Sequence, residues 1–314
     1  MSQVVTMTLN PTLDYSVDVD EVVPYDKLRC TSPLREPGGG GLNVARVMQA
    51  FGSDVIALFC AGGLTGRLLE QLIDQAGVPR HAIDVKGATR ENFSAMETSS
   101  GRQYRFVLPG PELSESEWRS CLDALETELQ KGCTHLVVSG SLPQGVPADF
   151  HARAVRLAKK HGVRVVLDTS QEPLRLALEE GVYLVKPNRR EIAQLTGHGI
   201  MTMEELAQAA RDLTESGAAQ IVALTLGAEG AICAWPEGLL RAESPPVEVS
   251  TTIGAGDSFV AGMSWALAHG KRVEEAFRWG VAAGTAAVTR TGTQMGDKAT
   301  AEALFERVTT TPMP

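Results

Sequence analysis

The chain has 314 residues, of which 29 are lysine or arginine and 38 are aspartate or glutamate, giving a formal net charge of −9 and a pI near 5.3. This excess of acidic residues disfavours a nucleic acid or an anionic membrane as the main partner. Apolar residues make up 43% of the chain, which is ordinary for a globular protein. The length suits one large α/β domain, or a main domain with a small appendage.

The five cysteines predict free thiols in a reducing compartment, because they are scattered, odd in number and form no C-x-x-C pair. The N-terminus shows no signal peptide, and no stretch reaches the roughly 18 apolar residues of a membrane span. The six histidines lack the spacing of zinc ligands. We therefore expect a cytoplasmic protein. The cysteines are Cys30, Cys60, Cys121, Cys133 and Cys233.

Two segments lack the helical period that the rest of the chain shows. Residues 10–36 are rich in proline, aspartate and β-branched residues, and residues 91–108 have the alternation of a hairpin around Ser99–Arg102. Together they predict a small antiparallel sheet that stands off the main domain as a lid or an interface.

Four consecutive glycines, Gly38 to Gly41, precede a helical pattern within Glu36–Arg46. They predict a backbone that approaches a ligand closely, with the Asn43 amide facing a hydroxyl group. The alternative is a flexible loop before a helix. The segment lacks the Gly-Lys-Ser/Thr of a Walker A loop, and it does not match a dinucleotide-binding fingerprint.

Short apolar runs alternate with amphipathic helical patterns over most of the remaining chain. The run Val55–Phe59 ends at a glycine pair, and Thr65 is placed to cap the next helix. This alternation predicts a mostly parallel sheet covered on both faces, with ligands beyond the carboxyl ends of the strands. The other runs are Leu136–Val138, Val163–Leu167, Tyr183–Val185 and Ile221–Leu224.

Asn188 and Glu191 lie three residues apart just after one of these runs. This spacing fits a capping box, in which each residue caps the other's backbone. It also fits an amide and a carboxylate that hold water around a magnesium–phosphate complex. The later segment Thr225–Gly230 could border a nucleotide or simply form a turn.

The segment Thr252–Ser258 holds three small residues, Gly254 to Gly256, followed by Asp257 and an apolar helical run. Backbone N–H groups in such a turn, at the positive end of a helix, can hold an anion. Asp257 could then take a proton from a hydroxyl group beside a transferring phosphoryl group. Its alternative role is to cap the helix.

The ordered set of motifs resembles the phosphofructokinase B family of ribokinase-like sugar kinases over essentially the whole chain, and most closely its 6-phosphofructokinase branch. This resemblance implies an α/β, ribokinase-like three-layer fold within a single domain, 1–314, with its lid formed by roughly 10–36 and 91–108. The motifs that carry it are Gly38–Asn43, Ser139–Pro143, Asn188–Glu191, Thr225–Gly230 and Gly254–Asp257, and the closer match lies in Lys27–Thr31, Glu36–Arg46 and Gln103–Gly110.

The resemblance implies ATP-dependent phosphorylation of the C1 hydroxyl of fructose 6-phosphate in glycolysis, with Asp257 as the base. The N–H groups of Gly254, Ala255 and Gly256 would stabilise the transferred group, and Glu191 would reach Mg²⁺ through water. It implies sugar-phosphate contacts from Asp14, Lys27, Gly39, Asn43, Arg90 and Ser141. It implies ATP contacts from Lys186, Asn188, Thr225, Gly227, Gly230, Ala283 and Gly284. A K⁺ site would use carbonyl groups of Thr251, Ile253, Ala287, Arg290 and Gly292.

The resemblance also implies a homodimer that pairs through the lid, and it allows a second, inhibitory ATP near Lys27. Fructose 1-phosphate and tagatose 6-phosphate are alternative substrates. Kinases of fructose 1-phosphate typically carry a lysine at the position of Gly40, so its absence favours a phosphate held farther away by Arg90 and Lys27. The remaining alternatives are a nucleoside kinase and a non-enzymatic sugar-phosphate sensor on the same fold.

Overall fold

The computed structural model describes residues 4–290 and 295–314. Their strands are β1 (Val4–Thr8), β2 (Thr12–Val19), β3 (Leu34–Gly38), β4 (Val55–Ala61), β5 (Arg80–Asp84), β6 (Arg90–Glu97), β7 (Arg102–Val107), β8 (His135–Ser139), β9 (Arg164–Asp168), β10 (Val182–Val185), β11 (Ala219–Thr225), β12 (Ala231–Trp235), β13 (Gly238–Glu243) and β14 (Thr309–Pro312). Their helices are α1 (Gly40–Ala50), α2 (Gly63–Gln75), α3 (Glu115–Gln130), α4 (Phe150–Lys160), α5 (Gln171–Glu179), α6 (Arg189–Thr196), α7 (Met203–Glu215), α8 (Ala255–Ala268), α9 (Val273–Val288) and α10 (Lys298–Phe305).

The main sheet has ten strands in the order β14-β13-β12-β11-β10-β9-β8-β1-β4-β5. All pairs from β11 to β5 are parallel, whereas β12, β13 and β14 add an antiparallel edge. The parallel strands therefore end at one edge, as the alternating sequence pattern predicts. The five apolar runs identified in the sequence all fall in these strands, namely β4, β8, β9, β10 and β11.

Two buried apolar clusters cover the two faces of this sheet. One includes side chains from α1, α2, α8, α9 and α10, for example Leu42, Phe259 and Phe277. The other includes side chains from α3 to α7, for example Leu125 and Val155. The predicted sheet with helices on both faces is therefore confirmed.

The expected cap at Thr65 is wrong, because helix α2 already begins at Gly63 with Gly62 as its N-cap. At position 62 the backbone packs so closely against the segment around Gly87 that only glycine fits. A Cβ on Gly62 would lie 2.0 Å from the carbonyl oxygen of Gly87. Backbone crowding thus fixes the start of the helix.

The second sheet, which we call the lid, has four strands in the order β3-β2-β6-β7. Its two outer pairs are antiparallel and its central pair, β2 with β6, is parallel. The hairpin expected within 91–108 is present, with Gly101 at a φ of 71° in its turn. The small sheet is therefore confirmed.

Helices long and apolar enough to cross a membrane are absent from residues 4–290 and 295–314. All five cysteines are free thiols, and the Sγ atoms of Cys60 and Cys121 lie 3.4 Å apart in the interior.

Candidate active site

Helix α8 begins with the small-residue turn that the sequence marks out. Its N-cap is Gly254, whose φ of 74° lies in the left-handed region that favours glycine. Asp257 occupies the first turn, but no side chain caps this helix. The structure therefore rejects the helix-cap alternative for Asp257.

The Asp257 carboxylate instead faces helix α1. The Asn43 Nδ2 atom donates a hydrogen bond to Asp257 Oδ2 at 2.8 Å. Burial, followed by repulsion from Asp168, raises the pKa of Asp257 to about 7, while the Asn43 hydrogen bond and the positive charge of Lys186 oppose that rise. A carboxylate with such a pKa can accept a proton efficiently near neutral pH.

Lys186 follows strand β10 and is only 6% exposed. Its Nζ atom lies 3.0 Å from Asp168 Oδ1, at the end of the adjacent strand β9. Burial alone would lower the pKa of Lys186, but the charges of Asp168, Glu191 and Asp257 raise it above its ordinary value. A Cβ on Gly256 would lie 3.6 Å from the same Nζ atom, so this ammonium group borders the N-terminal turn of α8.

The glycine segment is packed structure. Gly38 ends β3, Gly39 caps α1 and Gly40 begins it, so the flexible-loop alternative is wrong. A Cβ on Gly40 would lie 2.1 Å from Ser139 Oγ, and one on Gly41 would lie 2.5 Å from Thr8 Oγ1. These glycines let α1 start against the ends of β8 and β1, which brings Asn43 to Asp257.

Asn188 and Glu191 form the capping box of α6. The Glu191 N–H donates to Asn188 Oδ1 at 2.9 Å, and the Asn188 N–H donates to Glu191 Oε2 at 2.8 Å. Burial raises the pKa of Glu191, and the charges of Lys186 and Asp168 also act on it. The cap and a second carboxylate beside Lys186 are therefore both present.

The lid and the segment after β8 place Arg90 and Ser141, two of the residues that the resemblance assigns to the sugar phosphate, on either side of Asn10. Arg90 donates from Nη2 to the carbonyl oxygen of Asn10 at 3.0 Å and from Nη1 to that of Leu108 at 3.2 Å. Asn10 Nδ2 donates to Ser141 Oγ at 3.1 Å. The Arg90 Nε atom is buried and has no hydrogen-bond partner among the described residues.

The chain is similar to known proteins over almost its whole length. Residues 7–300 match the model of the pfkB family carbohydrate kinases. The chain belongs to this family. It is 40% identical to the ATP-dependent 6-phosphofructokinase isozyme 2 of Escherichia coli (strain K12) over 296 residues, covering 94% of this chain and 95% of that protein.

Solved structures and a further curated relative are also similar to this pfkB family kinase. The phosphofructokinase-2 of Escherichia coli in complex with potassium has a TM-score of 0.92 and 38% identity, covering 98% of this chain and 99% of that one. The 1-phosphofructokinase of Xanthomonas campestris pv. campestris is 36% identical over 269 residues, 84% of each chain. The fold is ribokinase-like, and the chain is a carbohydrate kinase.

Several residues that the resemblance assigns to ATP border one end of the kinase's main sheet. Thr225 ends β11, and its N–H donates to the carbonyl oxygen of Pro187 at 3.0 Å, beside Asn188. Gly227 and Gly230 flank a short 3₁₀ turn with φ values of 64° and 92°. Ala283 is a buried residue of α9 that faces Gly262 of α8, and a Cβ on Gly284 would lie 3.1 Å from the carbonyl oxygen of Ala255.

Lys27 is exposed in the connection between β2 and β3. In the described ranges, no hydrogen bond or ion pair joins it to the other site residues. Of the residues that the resemblance assigns to a K⁺ site, Thr251 and Ile253 are buried, and the carbonyl oxygen of Ala287 accepts the Arg290 N–H at 3.2 Å. Gly292 lies outside the described residues.

Asp168 was not identified from the sequence, although it pairs with Lys186 and its charge acts on Asp257. The available signal was a carboxylate directly after the buried strand run Val165–Leu167. Its Oδ2 atom accepts a hydrogen bond from Ser139 Oγ at 3.4 Å, while its Oδ1 atom pairs with Lys186. Groups of three or more metal-ligating side chains are absent from the described part of the chain.

Proposed function

We propose that this kinase transfers the γ-phosphoryl group of ATP to the C1 hydroxyl of fructose 6-phosphate, as a glycolytic 6-phosphofructokinase. The Asn43–Asp257 contact beside the N-terminal turn of α8 carries this proposal. It places a carboxylate with a pKa of about 7 next to backbone N–H groups that can hold a phosphoryl group.

In this mechanism, Asp257 accepts the C1 hydroxyl proton as that oxygen bonds to the γ-phosphorus. The bond from the γ-phosphorus to the β,γ-bridging oxygen breaks, and ADP leaves. The N–H groups of Gly254, Ala255 and Gly256 stabilise the charge on the transferring group, and Lys186 adds a positive charge beside them. Little covalent chemistry falls to the protein, so most of the rate gain comes from positioning and from these fixed dipoles and charges.

Glu191 and Asp168 would hold Mg²⁺ here, and the ion would supply positive charge against the phosphates of ATP. The chemistry of this site suits it, because Glu191 and Asp168 present carboxylates beside Lys186, and hard cations prefer oxygen ligands. With few protein ligands available, water and the phosphates would complete the coordination, as is usual for Mg²⁺. Asn188, Thr225, Gly227 and Gly230 would border the nucleotide, with Ala283 and Gly284 behind it.

Two features favour fructose 6-phosphate over fructose 1-phosphate. Gly40 contributes no cation at the glycine segment, whereas Arg90 has an unpartnered N–H group at the lid. The 6-phosphofructokinase relative is also more similar to this chain than the 1-phosphofructokinase relative described above. Asp14, Gly39, Asn43 and Ser141 would hold the sugar, with Lys27 reaching the phosphates.

A homodimer formed through the lid is supported by apolar side chains on its surface. Phe106, Val107 and Leu108 are 56%, 60% and 51% exposed. Exposed apolar patches of this kind often mark protein interfaces. The dimer would bury β7 and bring two lids together, and the whole chain, 1–314, would act as one domain with its lid.

The kinase would also bind a monovalent cation and a second nucleotide. A K⁺ ion would bind carbonyl groups of the Thr251–Ile253 turn and of the end of α9, and the Escherichia coli enzyme structure is described with potassium. A second ATP would bind near the exposed Lys27 and inhibit the enzyme. The net charge of −9 is consistent with a cytoplasmic enzyme without nucleic-acid or membrane partners.

The decisive experiment measures kcat/KM of the purified protein with ATP and Mg²⁺ on four acceptors: fructose 6-phosphate, fructose 1-phosphate, tagatose 6-phosphate and adenosine. We expect fructose 6-phosphate to have the highest value. Preference for either of the other sugar phosphates would support the corresponding alternative, and preference for adenosine would support a nucleoside kinase. Binding of a sugar phosphate without turnover of any acceptor would support a sensor.

A further inference from the structure

Strands β2 and β6 run parallel in the lid, with Thr12 opposite Arg90, Asp14 opposite Asn92 and Ser16 opposite Ser94. Side chains two residues apart in a strand point to the same face of a sheet. These residues therefore form one polar stripe on one face of the lid. The stripe contains Asp14 and Arg90, both assigned to the sugar phosphate, and Asn92, which has no assigned role.

Asn92 contacts Asp14 directly and connects to Arg90 through Leu108. Its Nδ2 atom donates to Asp14 Oδ1 at 3.0 Å, and its Oδ1 atom accepts the Leu108 N–H at 3.2 Å. The carbonyl group of the same Leu108 accepts a hydrogen bond from Arg90 Nη1 at 3.2 Å. One carboxamide thus links the Asp14 carboxylate, in the middle of the stripe, to the Arg90 guanidinium at its end through the backbone of one residue, Leu108.

We propose that Asn92 is a positioning residue that fixes Asp14 and Arg90 at the spacing of a ketohexose phosphate, so that one grips a sugar hydroxyl while the other grips the phosphate. This inference rests on the proposed function and adds a residue to it. Asn92 itself touches neither the phosphoryl group nor ATP in this arrangement.

The electrostatics of Asp14 agree with this role. Burial raises the pKa of Asp14, and the hydrogen bond from Asn92 is the largest of the contributions that lower it. The charges that also act on Asp14 are those of Arg105 on β7, Arg90 on β6, Arg46 on α1 and Asp257 on α8. Glu36 lies opposite Asp14 in the pairing of β2 with β3.

Two variants test the proposal in the full-length enzyme. Asn92→Ala removes the donor to Asp14 and the acceptor for Leu108. Asn92→Asp keeps the size and the acceptor but places a second carboxylate against Asp14. Both should raise the KM for fructose 6-phosphate about tenfold or more, since hydrogen bonds to charged groups are worth at least that factor, while the KM for ATP stays within about twofold.

The pH profile separates positioning from a general loss of lid structure. In Asn92→Asp two neighbouring carboxylates must share a proton, so its KM for fructose 6-phosphate should fall back towards the wild-type value as the pH is lowered from 8 to 6. Asn92→Ala should not recover in this way. The titration of Asp257 affects all variants alike. Dividing the KM of each variant by that of the wild type at the same pH therefore removes its contribution.

Ser94→Ala is the matched control, because Ser94 lies on the same strand and face. Its Oγ atom bonds Ser16 Oγ at 3.1 Å and the carbonyl oxygen of Tyr15 at 3.3 Å, without contacting Asp14 or Arg90. Equal KM values in wild type, Ser94→Ala and both Asn92 variants would overturn the proposal. So would an equal rise in all three variants with no pH-dependent recovery, since that would show a purely structural role for the stripe.

The wild-type assay shows separately whether the proposed function holds. If the wild type does not phosphorylate fructose 6-phosphate, the function assignment fails. If it does and the Asn92 variants behave as wild type, only the role of Asn92 fails. If Asn92→Ala does not fold, Asn92→Asp alone decides through its pH profile.

Discussion

Asn43 in α1 donates a hydrogen bond to Asp257 in α8 at 2.8 Å across 214 residues of sequence. The amide hydrogen bond opposes the rise in the pKa of Asp257, so it tunes the carboxylate as well as orienting it. The glycine segment makes this contact possible, because it lets α1 start directly against β1 and β8. Two of the sequence motifs are therefore halves of one site.

Asp257→Asn should reduce kcat about 100-fold or more while changing the KM for fructose 6-phosphate only a few-fold. The substitution keeps the shape of the side chain and removes the proton acceptor, so its cost falls on the transition state. Steady-state kinetics at saturating ATP measure both constants. A variant that retains more than about a tenth of the wild-type kcat would remove Asp257 from the role of base.

The same variant should be more stable than the wild type at high pH. The ordinary pKa of an aspartate is 3.8, whereas that of Asp257 in the fold is about 7. Between these values the folded state holds a proton that the unfolded chain has released, so the wild type loses stability as the pH rises from about 4 to 7.

Thermal unfolding of ligand-free protein would show this difference. We expect the melting temperature of Asp257→Asn to exceed that of the wild type at pH 8. The difference between the two melting temperatures should shrink towards pH 4.5. A difference in melting temperature of the same size at both pH values would mean that the fold does not raise the pKa of Asp257.

Arg90→Ala should raise the KM for fructose 6-phosphate and leave that for ATP nearly unchanged. A charge-assisted contact to phosphate is worth roughly tenfold to over a hundredfold in affinity. Arg35→Ala is a suitable control, since Arg35 is an exposed lid cation stacked over Tyr15 with 5.4 Å between its Cζ atom and the ring centroid. Unchanged affinity in Arg90→Ala would place the phosphate elsewhere.

Glu191→Gln and Glu191→Ala should separate the two roles of Glu191. Glutamine can still complete a capping box with Asn188, so the Gln variant should keep the melting temperature while its apparent affinity for Mg²⁺ and ATP falls. The Ala variant should lose stability as well, by about 1 kcal/mol. If the Gln variant binds Mg²⁺ and ATP like the wild type, Glu191 acts only as a cap.

Phe106→Asp should shift the protein from dimer to monomer. A charge on this 56% exposed ring would meet its symmetry mate or other apolar groups at the proposed lid interface. Sedimentation velocity of the variant and the wild type over a range of concentrations would measure the change. Ile200→Asp is the control, because Ile200 is fully exposed and lies between α6 and α7, away from the lid. An unchanged sedimentation coefficient in Phe106→Asp would exclude this surface as the interface.

Local patterns in the sequence were enough to predict the parallel strands, the hairpin of the lid and the small-residue turn of α8. Each depends on residues close together in the chain, such as the alternation in 91–108. Asp168 and Asn92 were missed because their importance depends on partners far away, namely Lys186 and Asp14. The registers of β9 with β10 and of β2 with β6 create these pairs. The sequence also could not distinguish an Asp257 that caps its helix from one that faces Asn43, because Asn43 lies 214 residues away in the chain.

Helix α8 is buried along every residue from Ser258 to Leu267. A helix enclosed on all sides cannot slide or tilt without disturbing the core, so Asp257 at its first turn is a fixed point of the molecule. Adjustments of distance during a catalytic cycle must then come from the lid, which carries Asp14 and Arg90. Moderate heating should therefore weaken the binding of the sugar phosphate before it displaces Asp257.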